Sequence, residues 1–391
     1  MRTQVAIIGG GPAGLLLSHL LALNGIDSIV VERRSRAHVL GRIRAGLLEA
    51  GSVDLLRSAG LGARMDREGI IHDGSEIVWG EGKGFFIDTR KFTGKPMMAY
   101  SQTAITEDLY QARDAAGGLT IDEAETVQPQ DLGSNQPFVT FVAHGKPNRI
   151  DCDFVAGCDG YHGVCRRSIP SDRLATYEKA YPFGWLGIMS DTPPLPHLVY
   201  AHSERGFALA SMRGTNRSRY YVQCSLDSDL ADWPDEKFWE ELKARYPKTI
   251  AEQIVTGPAI EKSIAPLRSF VAEPMRYERL FLAGDSAHVV PPTGAKGLNL
   301  ALSDVFYLSR GLADHYKARN DTYLERYSEM ALHRTWNAIR LSWRLTHLLH
   351  RFPDESPLDG RIRENELSYV AGSEFALGSL AEQYVGLPYQ S

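Results

Sequence analysis

Cysteine is scarce in this chain of 391 residues, which has only Cys152, Cys158, Cys165 and Cys224. No pair has C-x-x-C spacing, and no histidine pair lies beside them at zinc-finger spacing. These absences argue against a disulfide framework, a zinc site and a dithiol redox centre. We expect four small core residues, no bound metal, and a reducing, cytoplasmic environment.

An excess of positive charge is also missing, because 43 Lys+Arg face 48 Asp+Glu for a net charge of −5. Proteins that bind nucleic acid usually present a basic face, so no nucleic-acid partner is expected. The hydrophobic fraction of 43% and the charged fraction of 23% are typical of a globular protein. The length predicts two or three domains, or one large composite unit.

The chain lacks an uninterrupted apolar run long enough to cross a bilayer. Residues 5–23 carry no Asp, Glu, Lys or Arg, but Gly9, Gly10, Gly11, Pro12 and Gly14 lie in their middle. A spanning helix needs about 20 mostly apolar residues with a satisfied backbone. We therefore expect a soluble protein with no membrane span and no targeting segment.

The same region fits a strand, a tight turn and a helix. Residues 4–8 and 27–32 are predicted strands, and residues 15–23 between them have helical spacing. The turn contains Gly9-x-Gly11-x-x-Gly14, and Glu32 follows eighteen residues after Gly14. This pattern is typical of dinucleotide binding, with the diphosphate at the helix N-terminus and the acid on a ribose hydroxyl. A glycine-rich turn without a ligand is the alternative, and the pattern does not distinguish FAD from NAD.

A second candidate half-site lies near the far end of the chain. The apolar strand 279–283 is followed by Gly284-Asp285, and a helix is predicted over 297–312. The aspartate could bind a ribityl hydroxyl while the helix N-terminus faces a ring system. Alternatively, Asp285 only caps a strand–turn–helix unit.

The remaining pattern predicts a mixture of helices and sheet. Between residues 183 and 226 four strands are expected, at 185–189, 198–202, 207–212 and 219–225. A hairpin is predicted at 77–88, and helices at 102–116, 235–245 and 323–350. The central strands therefore indicate a sheet-rich insertion, which could cover a substrate.

Three motifs together carry a family resemblance. The glycine loop at 9–14, Cys158-Asp-Gly-x-His-Gly-x-x-Arg166, and Gly284-Asp-x-Ala-His288 with Pro291-Pro292 occur in this order. In this combination the chain resembles the single-component flavoprotein aromatic hydroxylases. Segments 40–46, 181–187, 263–270 and 384–389 extend the resemblance over essentially the whole chain.

The resemblance implies an α/β (α+β composite) fold. Its parts are a Rossmann-like FAD-binding domain over 1–75, 96–180 and 269–315, a sheet-rich substrate domain over 76–95 and 181–268, and a helical interface domain over 316–391. It also implies a homodimer. The cofactor implied is FAD, bound by Gly9, Gly11, Ala13, Gly14, Glu32, Arg42, Ile43, Arg44, Ala45, Gly46, Leu47, Gln102, Asp159, Asp285, Leu298 and Asn299.

A candidate carboxylate site lies on one of the predicted strands. Ser211 and Arg213 are two residues apart, so their side chains share one face, and a guanidinium fork matches a planar carboxylate. By themselves they could be an ordinary polar face. The resemblance implies instead that they bind a benzoate carboxylate, in a substrate site of Tyr200, Ser211, Met212, Arg213, Tyr221, Pro292 and Thr293.

The other end of the substrate would be a phenol, which reacts best as phenolate. The resemblance implies that Tyr200 and Tyr384 carry the phenol proton towards His72, and that the Pro292 carbonyl lies near the hydroxyl. Without the resemblance, His72 would be a solvated loop residue. The implied activity is hydroxylation of 4-hydroxybenzoate at position 3 with NAD(P)H and O2, through a flavin hydroperoxide. Another hydroxybenzoate remains open as the substrate.

The nicotinamide has no glycine-rich site of its own in the sequence. The resemblance implies transient binding in a groove, with candidates Arg33, Arg34, Arg36, His38, Arg44, His162 and Arg268. The basic run 33–36 suits a 2′-phosphate and so favours NADPH over NADH. A solvated charged surface is the alternative.

A halogenase and a redox sensor are the alternatives to a hydroxylase. A flavin-dependent halogenase would carry Trp-x-Trp-x-Ile-Pro, and Trp185-Leu-Gly-Ile188 has no second tryptophan. An FAD-bound redox sensor without turnover would not need both a carboxylate site and a phenol site. Oxidation of NADPH stimulated by 4-hydroxybenzoate would distinguish the sensor from the hydroxylase.

Overall fold

The structure, a computed structural model, describes residues 1–41 and 46–390. A six-stranded sheet is built around Val5–Ile8, which pairs in parallel with Phe154–Gly157 on one side and Ser28–Val31 on the other. The complete strand order is Arg276–Tyr277, Leu280–Leu282, Phe154–Gly157, Val5–Ile8, Ser28–Val31 and Thr120–Ile121.

The first β-α-β unit forms as the sequence predicts. Val5–Ile8 is a short apolar strand buried on both faces, as expected for a strand inside a parallel sheet. The helix Pro12–Leu23 has a proline in its first turn, where the missing N–H costs nothing. It ends at Asn24, followed by Gly25 with φ +72°, so the chain can turn back towards the second strand.

The second large sheet has eight strands and carries most of the substrate candidates. Its order is His288–Val289, Ala259–Glu273, Ala175–Ser190, Arg217–Cys224, Gly206–Gly214, Leu198–Ser203, Gly74–Trp79 and Lys83–Asp88. The predicted strand 185–189 is the second half of a strand of 16 residues. Its exposed first half pairs with the end of Ala259–Glu273, which also pairs with His288–Val289 on its other side.

Two three-stranded sheets and a set of helices complete the described fold. The small sheets are Lys146–Asp151, Phe138–Ala143 and Glu125–Gln130, and Leu47–Leu48, Met97–Ala99 and Ile70–His72. The α-helices are Pro12–Leu23, Arg36–Leu40, Ala50–Ser58, Gly62–Glu68, Thr89–Thr93, Gln102–Ala115, Asp235–Lys243, Lys248–Ala251, Gly297–Ala318, Thr322–Glu325, Tyr327–Leu349, Pro357–Gly372 and Glu374–Val385. Within the described ranges, no helix combines the length and hydropathy needed to cross a membrane.

The predicted helix 323–350 is wrong in one respect, because the chain breaks it at Arg326 into two helices. Leu324 packs where Gly311 of the preceding helix has no side chain, within 2.7 Å of a Cβ built there. The hydroxyl of Tyr327 instead donates to the carbonyl of Leu282, at 2.6 Å. Each half is therefore held by a different neighbour, and these tertiary contacts override the continuous helical pattern.

Within the part of the chain that the structure describes, packing divides the interior into three apolar clusters. The first surrounds the six-stranded sheet, the second lies between the eight-stranded sheet and the C-terminal helices, and the third covers the other face of the eight-stranded sheet. Mixed α/β architecture is thus confirmed. The domain limits inferred from the sequence stay a prediction.

Candidate active site

The predicted cofactor segments meet at one edge of the six-stranded sheet. The strands Val5–Ile8, Ser28–Val31, Phe154–Gly157 and Leu280–Leu282 run parallel, so the loops that follow them lie together. A Cβ on Gly9 would lie 2.2 Å from the Cys158 carbonyl oxygen, and one on Gly284 would lie 3.6 Å from the Ala13 Cβ. Ligands of open α/β sheets bind at this carboxyl edge.

The glycine loop leaves space for a ligand at one position only. A Cβ on Gly14 would lie 2.0 Å from the Gly9 carbonyl oxygen, whereas one on Gly11 would meet nothing within 4 Å. Gly11 precedes the helix Pro12–Leu23, and no side chain caps that helix. Its free amides are therefore available to an anion such as a diphosphate. Glu32 accepts from the Gly10 amide at 2.7 Å and the Arg34 amide at 2.8 Å, so its carboxylate is fixed beside this space.

Asp159 and the Gly284-Asp285 turn are held by neighbouring loops. Asp159 accepts from the Cys165 amide at 2.9 Å while its other oxygen is buried without a hydrogen bond, and burial raises the pKa of this carboxyl group. The Gly284 amide donates to Asp304, which also pairs with the His288 ring at 2.6 Å. Asp285 is half-buried at the start of this turn.

The helix Gly297–Ala318 begins beside the same edge. The Asn299 side chain accepts from the Glu49 amide at 2.8 Å and donates to the carbonyls of Leu47 and Ala295, at 2.9 Å each. The side chain is fully engaged within the protein, so any contact of Asn299 with FAD would use its backbone. Leu298 is partly buried next to it.

The segment that precedes Leu47 is described only from Gly46 onwards. A Cβ on Gly46 would lie 1.8 Å from the Tyr100 carbonyl oxygen, so only glycine fits against the start of the helix Gln102–Ala115. The predicted contacts of Arg42, Ile43, Arg44 and Ala45 lie outside the described residues.

The carboxylate site is centred on the guanidinium of Arg213, a half-buried residue. Arg213 donates to the Ser211 hydroxyl at 2.6 Å and to the Met212 carbonyl at 3.0 Å. Among the residues described, no carboxylate lies within ion-pair distance of Arg213, and burial lowers the pKa of its guanidinium while the Tyr221 hydroxyl partly offsets this. A cation that is partly withdrawn from water and has no anion beside it is suited to an anionic ligand.

The hydroxyl site lies on the neighbouring strand. The Tyr200 hydroxyl donates to the Thr293 carbonyl at 2.8 Å and lies 3.0 Å from the Tyr384 hydroxyl. Burial raises the pKa of both tyrosines, so both are neutral phenols at neutral pH. The positive charge of Arg213 acts to lower the pKa of Tyr200, which indicates that the carboxylate site and the hydroxyl site are close. The Pro292 carbonyl accepts from the Ala295 amide at 3.0 Å.

His72 is buried rather than solvated. Its Nε2 has no hydrogen-bond partner among the described residues, and burial lowers its pKa to about 4, with the charges of His197 and Arg213 acting in the same direction. His72 is thus neutral at neutral pH. The Tyr384 hydroxyl accepts from Ser75, at 2.9 Å, and no direct hydrogen bond joins it to His72 in the part of the chain described.

Several residues near these sites were not predicted from the sequence. Ser75 is one, and an aromatic stack is another, in which Trp185 lies 4.5 Å from the Phe207 ring and 5.0 Å from the Tyr221 ring between centroids. Its indole N–H donates to His350 at 2.7 Å. The sheet register brings these side chains to the site. The local sequence around them therefore does not distinguish them from a serine or a tryptophan of the core.

A buried ion cluster was also missed. Lys296 donates to Glu49 at 2.6 Å and to the carbonyls of Gln383 and Tyr384, and Arg334 pairs with the other oxygen of Glu49. The cluster joins the start of the helix Gly297–Ala318 to the segment that carries Tyr384. The signal available in the sequence was weak: Lys296 is the only charged residue between Asp285 and Asp304 if histidine is counted as neutral.

The nicotinamide candidates form two separate groups. Arg33, Arg34 and His38 are exposed, whereas Arg36 pairs with Asp114 at 2.7 Å and its guanidinium lies over the Tyr110 ring. His162 lies against the Tyr161 ring, and Arg268 covers that ring and pairs with Glu178. No hydrogen bond or ion pair joins the two groups among the described residues.

Metal chemistry has no candidate site in residues 1–41 and 46–390, where no group of three or more His, Cys, Asp or Glu side chains is arranged to hold an ion. All four cysteines are free thiols. The open space above Gly11, the fixed Glu32 carboxylate and the uncapped helix together fit a dinucleotide such as FAD.

Comparison with known proteins identifies the family. The family described as "FAD binding domain" matches residues 2–342. The p-hydroxybenzoate hydroxylase of Acinetobacter baylyi is 54% identical, over 100% of this chain and 96% of its own length. The rifampicin monooxygenase of Streptomyces venezuelae is 27% identical over 79% of this chain and 64% of its own length. The solved p-nitrophenol 4-monooxygenase of Pseudomonas putida shares the fold, with a TM-score of 0.82, 16% identity and 99% coverage of both chains. The chain therefore belongs to the FAD binding domain family and is a flavin-dependent aromatic monooxygenase.

Proposed function

We propose that the protein hydroxylates 4-hydroxybenzoate at position 3 to give 3,4-dihydroxybenzoate, with NADPH and O2 as co-substrates. One observation carries the proposal: the half-buried Arg213, which has no carboxylate partner among the described residues, lies close to the buried Tyr200–Tyr384 pair. An aromatic acid with a hydroxyl group opposite its carboxylate matches both groups at once. The identity of 54% to a p-hydroxybenzoate hydroxylase supports the same substrate.

In this proposal the carboxylate of the substrate is the anionic partner of Arg213. Its two oxygens accept from the guanidinium, with Ser211 and Tyr221 alongside. The aromatic ring then lies among apolar side chains, and its hydroxyl group meets Tyr200. Tyr200 accepts the phenol proton and passes its own proton to Tyr384, which leaves a more electron-rich ring.

Bound FAD supplies the redox chemistry that carries electrons from the nicotinamide to O2. Gly11, Ala13 and Glu32 would hold its diphosphate and ribose side, while Gly9 and Gly14 would allow the close packing that shapes the loop. Asp159, Asp285 and the start of the helix Gly297–Ala318 would hold the remainder, and the positive end of the helix would favour negative charge on the cofactor. Burial of the substrate site excludes water and so favours transfer of oxygen to the ring over release of H2O2.

The test is product identification with the holoenzyme. Hydroxybenzoates with the hydroxyl group at positions 2, 3 and 4 would each be incubated with NADPH and O2, and the products separated by chromatography. We expect 3,4-dihydroxybenzoate from the 4-hydroxy isomer, in near-equal amount to the NADPH consumed. Consumption of NADPH without hydroxylated product, or preferential turnover of another isomer, would contradict the proposal.

NADPH specificity is assigned to Arg33 and Arg34, because both are exposed while the Arg36 guanidinium is engaged by Asp114. Two exposed guanidinium groups suit a 2′-phosphate. Replacing both with glutamine should raise KM for NADPH more than KM for NADH, and Arg67→Gln, another exposed arginine, serves as the control. An equal change in KM for NADPH and for NADH would show that the 33–36 segment is an ordinary solvated surface.

A homodimer in the cytoplasm completes the proposal. The C-terminal helices expose large apolar side chains, with Phe375 91% and Leu358 67% accessible in the single chain. Exposed Leu358, Ile362 and Tyr369 recur at helical spacing on Pro357–Gly372 and so share one face, and a contiguous apolar patch is typical of an interface. Light scattering of the purified protein should give twice the chain mass of 43.4 kDa. Phe375→Ser should shift the mass towards the monomer, and a monomeric wild type would contradict the assignment.

A further inference from the structure

Three buried hydroxyl groups form one continuous chain beside the proposed substrate site. The Ser75 hydroxyl donates to Tyr384 at 2.9 Å, and the Tyr384 and Tyr200 hydroxyls are 3.0 Å apart. Tyr200 donates its single proton to the Thr293 carbonyl. Tyr384 must therefore donate to Tyr200, and every hydrogen bond of the chain has the same direction, from Ser75 inwards.

The sheet register explains why Ser75 reaches this position. In the parallel pairing of Gly74–Trp79 with Leu198–Ser203, Leu198 lies beside Ser75 and Tyr200 beside Ile77. Alternate residues of a strand share a face, so Ser75 and Ile77 both face the cluster that contains Tyr200 and Tyr384. An apolar side chain would pack at this place equally well. A hydroxyl group buried here is costly unless it is hydrogen-bonded, and its partner is Tyr384.

The candidate proton acceptor beyond the outer end of the hydroxyl chain is His72. His72 lies three residues before Ser75, is 5% exposed, and has an Nε2 without a partner among the described residues. Arg213, His197 and Asp73 are the charged or titratable groups near it. His197 is exposed, adjoins Leu198, and stacks on Phe86 with ring centroids 4.9 Å apart.

We propose that Ser75 is the third hydroxyl of the proton relay, a positioning residue that accepts the proton of Tyr384 and releases its own towards His72. The inference rests on the proposed function. When the substrate binds, its O–H bond breaks and Tyr200 gains that proton while giving its own to Tyr384. Tyr384 in turn gives its proton to Ser75, and the Ser75 proton leaves towards His72 and then solvent. One proton leaves the substrate, one reaches solvent, and no hydroxyl of the relay keeps a charge.

Reversal of the chain is the step for which Ser75 is needed. Before the substrate binds, all three protons point inwards, to Tyr384, to Tyr200 and to the Thr293 carbonyl. To carry the phenol proton outwards, the three O–H groups must first turn so that each donates to the next group outwards, and the transfer itself returns them to the inward direction. Without an acceptor beyond Tyr384, its proton has no outlet, and the phenol proton remains in the site.

The test follows proton release from bound substrate. The holoenzyme without NADPH would be mixed with 4-hydroxybenzoate in a stopped-flow instrument, and formation of the phenolate would be followed by its ultraviolet absorption. Ser75→Ala should slow this rate by roughly tenfold to a hundredfold, with an unchanged dissociation constant because Arg213 is intact. Ser75→Thr retains the hydroxyl group and should restore the rate.

Ser52→Ala is the matched control, since Ser52 is also buried and lies 3.3 Å from a tyrosine hydroxyl, that of Tyr389, outside the relay. If Ser75→Ala does not fold, Ser75→Cys replaces it, because a thiol has nearly the same shape and is a weak donor. A wild-type rate in Ser75→Ala or Ser75→Cys, or an equal loss in Ser75→Thr, would overturn the role of Ser75. Wild-type protein that forms no 3,4-dihydroxybenzoate would instead overturn the proposed function.

Discussion

Arg213 is the residue through which substrate affinity can be tested most directly. Arg213→Lys keeps the charge but removes the planar fork that matches a carboxylate. We expect 4-hydroxybenzoate to bind about 1.5–3 kcal/mol more weakly, roughly a tenfold to hundredfold higher dissociation constant, with FAD binding unchanged. The measurement is titration of the bound flavin's absorption spectrum with substrate.

The control for this substitution is Arg217→Lys. Arg217 is on the next strand of the same sheet, but it is exposed and pairs with Asp191 at the surface. Arg217→Lys should leave the substrate titration unchanged, because an exposed ion pair contributes little to stability. Equal dissociation constants for wild type and Arg213→Lys would refute the assignment of the carboxylate site.

Tyr200→Phe tests the inner end of the relay. The ring remains to fill the core, and Arg213 still binds the substrate, so NADPH should still be consumed. Loss of the proton acceptor should slow hydroxylation by about 10²–10⁴, and H2O2 should rise as 3,4-dihydroxybenzoate falls. The ratio of product to NADPH oxidised, compared with that of Tyr181→Phe, is the measurement. Tyr181 is also buried but its hydroxyl meets Ser269, so that variant should remain coupled, and full coupling of Tyr200→Phe would remove Tyr200 from the relay.

Among the structural elements, the glycine loop allows FAD binding and folding stability to be tested with separate variants. Gly11 has φ −79°, which any residue adopts, and a Cβ there meets no protein atom within 4 Å. Gly11→Ala should therefore leave the stability of the FAD-free protein within about 0.5 kcal/mol while weakening FAD binding roughly tenfold or more.

Gly14→Ala is the contrasting variant of the same loop. Its Cβ would lie 2.0 Å from the Gly9 carbonyl oxygen, so the helix must move away from the strand, at a cost of about 1–3 kcal/mol. Denaturant unfolding without FAD and fluorescence titration with FAD measure the two effects. If Gly11→Ala lowers stability as much as Gly14→Ala does, the space above Gly11 is not a ligand site.

Sequence alone predicted the elements that have strong local signals. The strand–turn–helix at the N-terminus, the hairpin that ends at Asp88 and the helix from Gln102 were found within a few residues of their predicted bounds. Glycine, capping and alternation patterns fix such elements without help from the rest of the chain. The break at Arg326 and the full length of Ala175–Ser190 were not predicted, because each depends on a distant partner: Gly311 for the break and Ala259–Glu273 for the strand.

In the candidate site, too, residues of a local pattern could be predicted and residues that depend on a distant partner could not. Glu32 and Gly11 belong to a local pattern, so their place beside the open space could be predicted. Ser75 could not, because its contact with Tyr384 joins residues 309 positions apart. That contact exists only when the C-terminal helix Glu374–Val385 packs on the eight-stranded sheet, and it needs side-chain geometry that no local pattern contains.

At the scale of the whole molecule, the C-terminal segment links the two large sheets. Lys296 donates to the carbonyls of Gln383 and Tyr384, and Arg334 donates to the carbonyl of Leu387. Glu49 accepts from both cations, and the Tyr384 hydroxyl accepts from Ser75. The cofactor edge of the first sheet and the substrate strands of the second are thus connected through one tyrosine. Packing of the C-terminus therefore affects both binding of the cofactor and transfer of the proton.

Buried histidines predict how the stability of the whole protein depends on pH. His350 accepts from the Trp185 indole at 2.7 Å and lies 2.9 Å from the Thr346 carbonyl, so its neutral form is fully hydrogen-bonded. Burial lowers its pKa to about 3, and burial also lowers the pKa of His202 and of His72 to about 4. In the unfolded chain these rings titrate near 6.5. Between about pH 6.5 and 3 the unfolded state therefore binds protons that the native state excludes, so the free energy of unfolding falls as the pH falls.

His350→Gln should make this fall less steep. One histidine contributes up to about 1.4 kcal/mol per pH unit in this window, and the variant loses that contribution whatever its stability at neutral pH. Urea unfolding of the holoenzyme at several values between pH 6.5 and 4.5 gives the slope for each protein. His333→Gln, an exposed position on the helix Tyr327–Leu349, should keep the wild-type slope. Burial of the neutral His350 ring against Trp185 is what opposes protonation, so equal slopes for wild type and His350→Gln would mean that the native protein takes up this proton as readily as the unfolded chain.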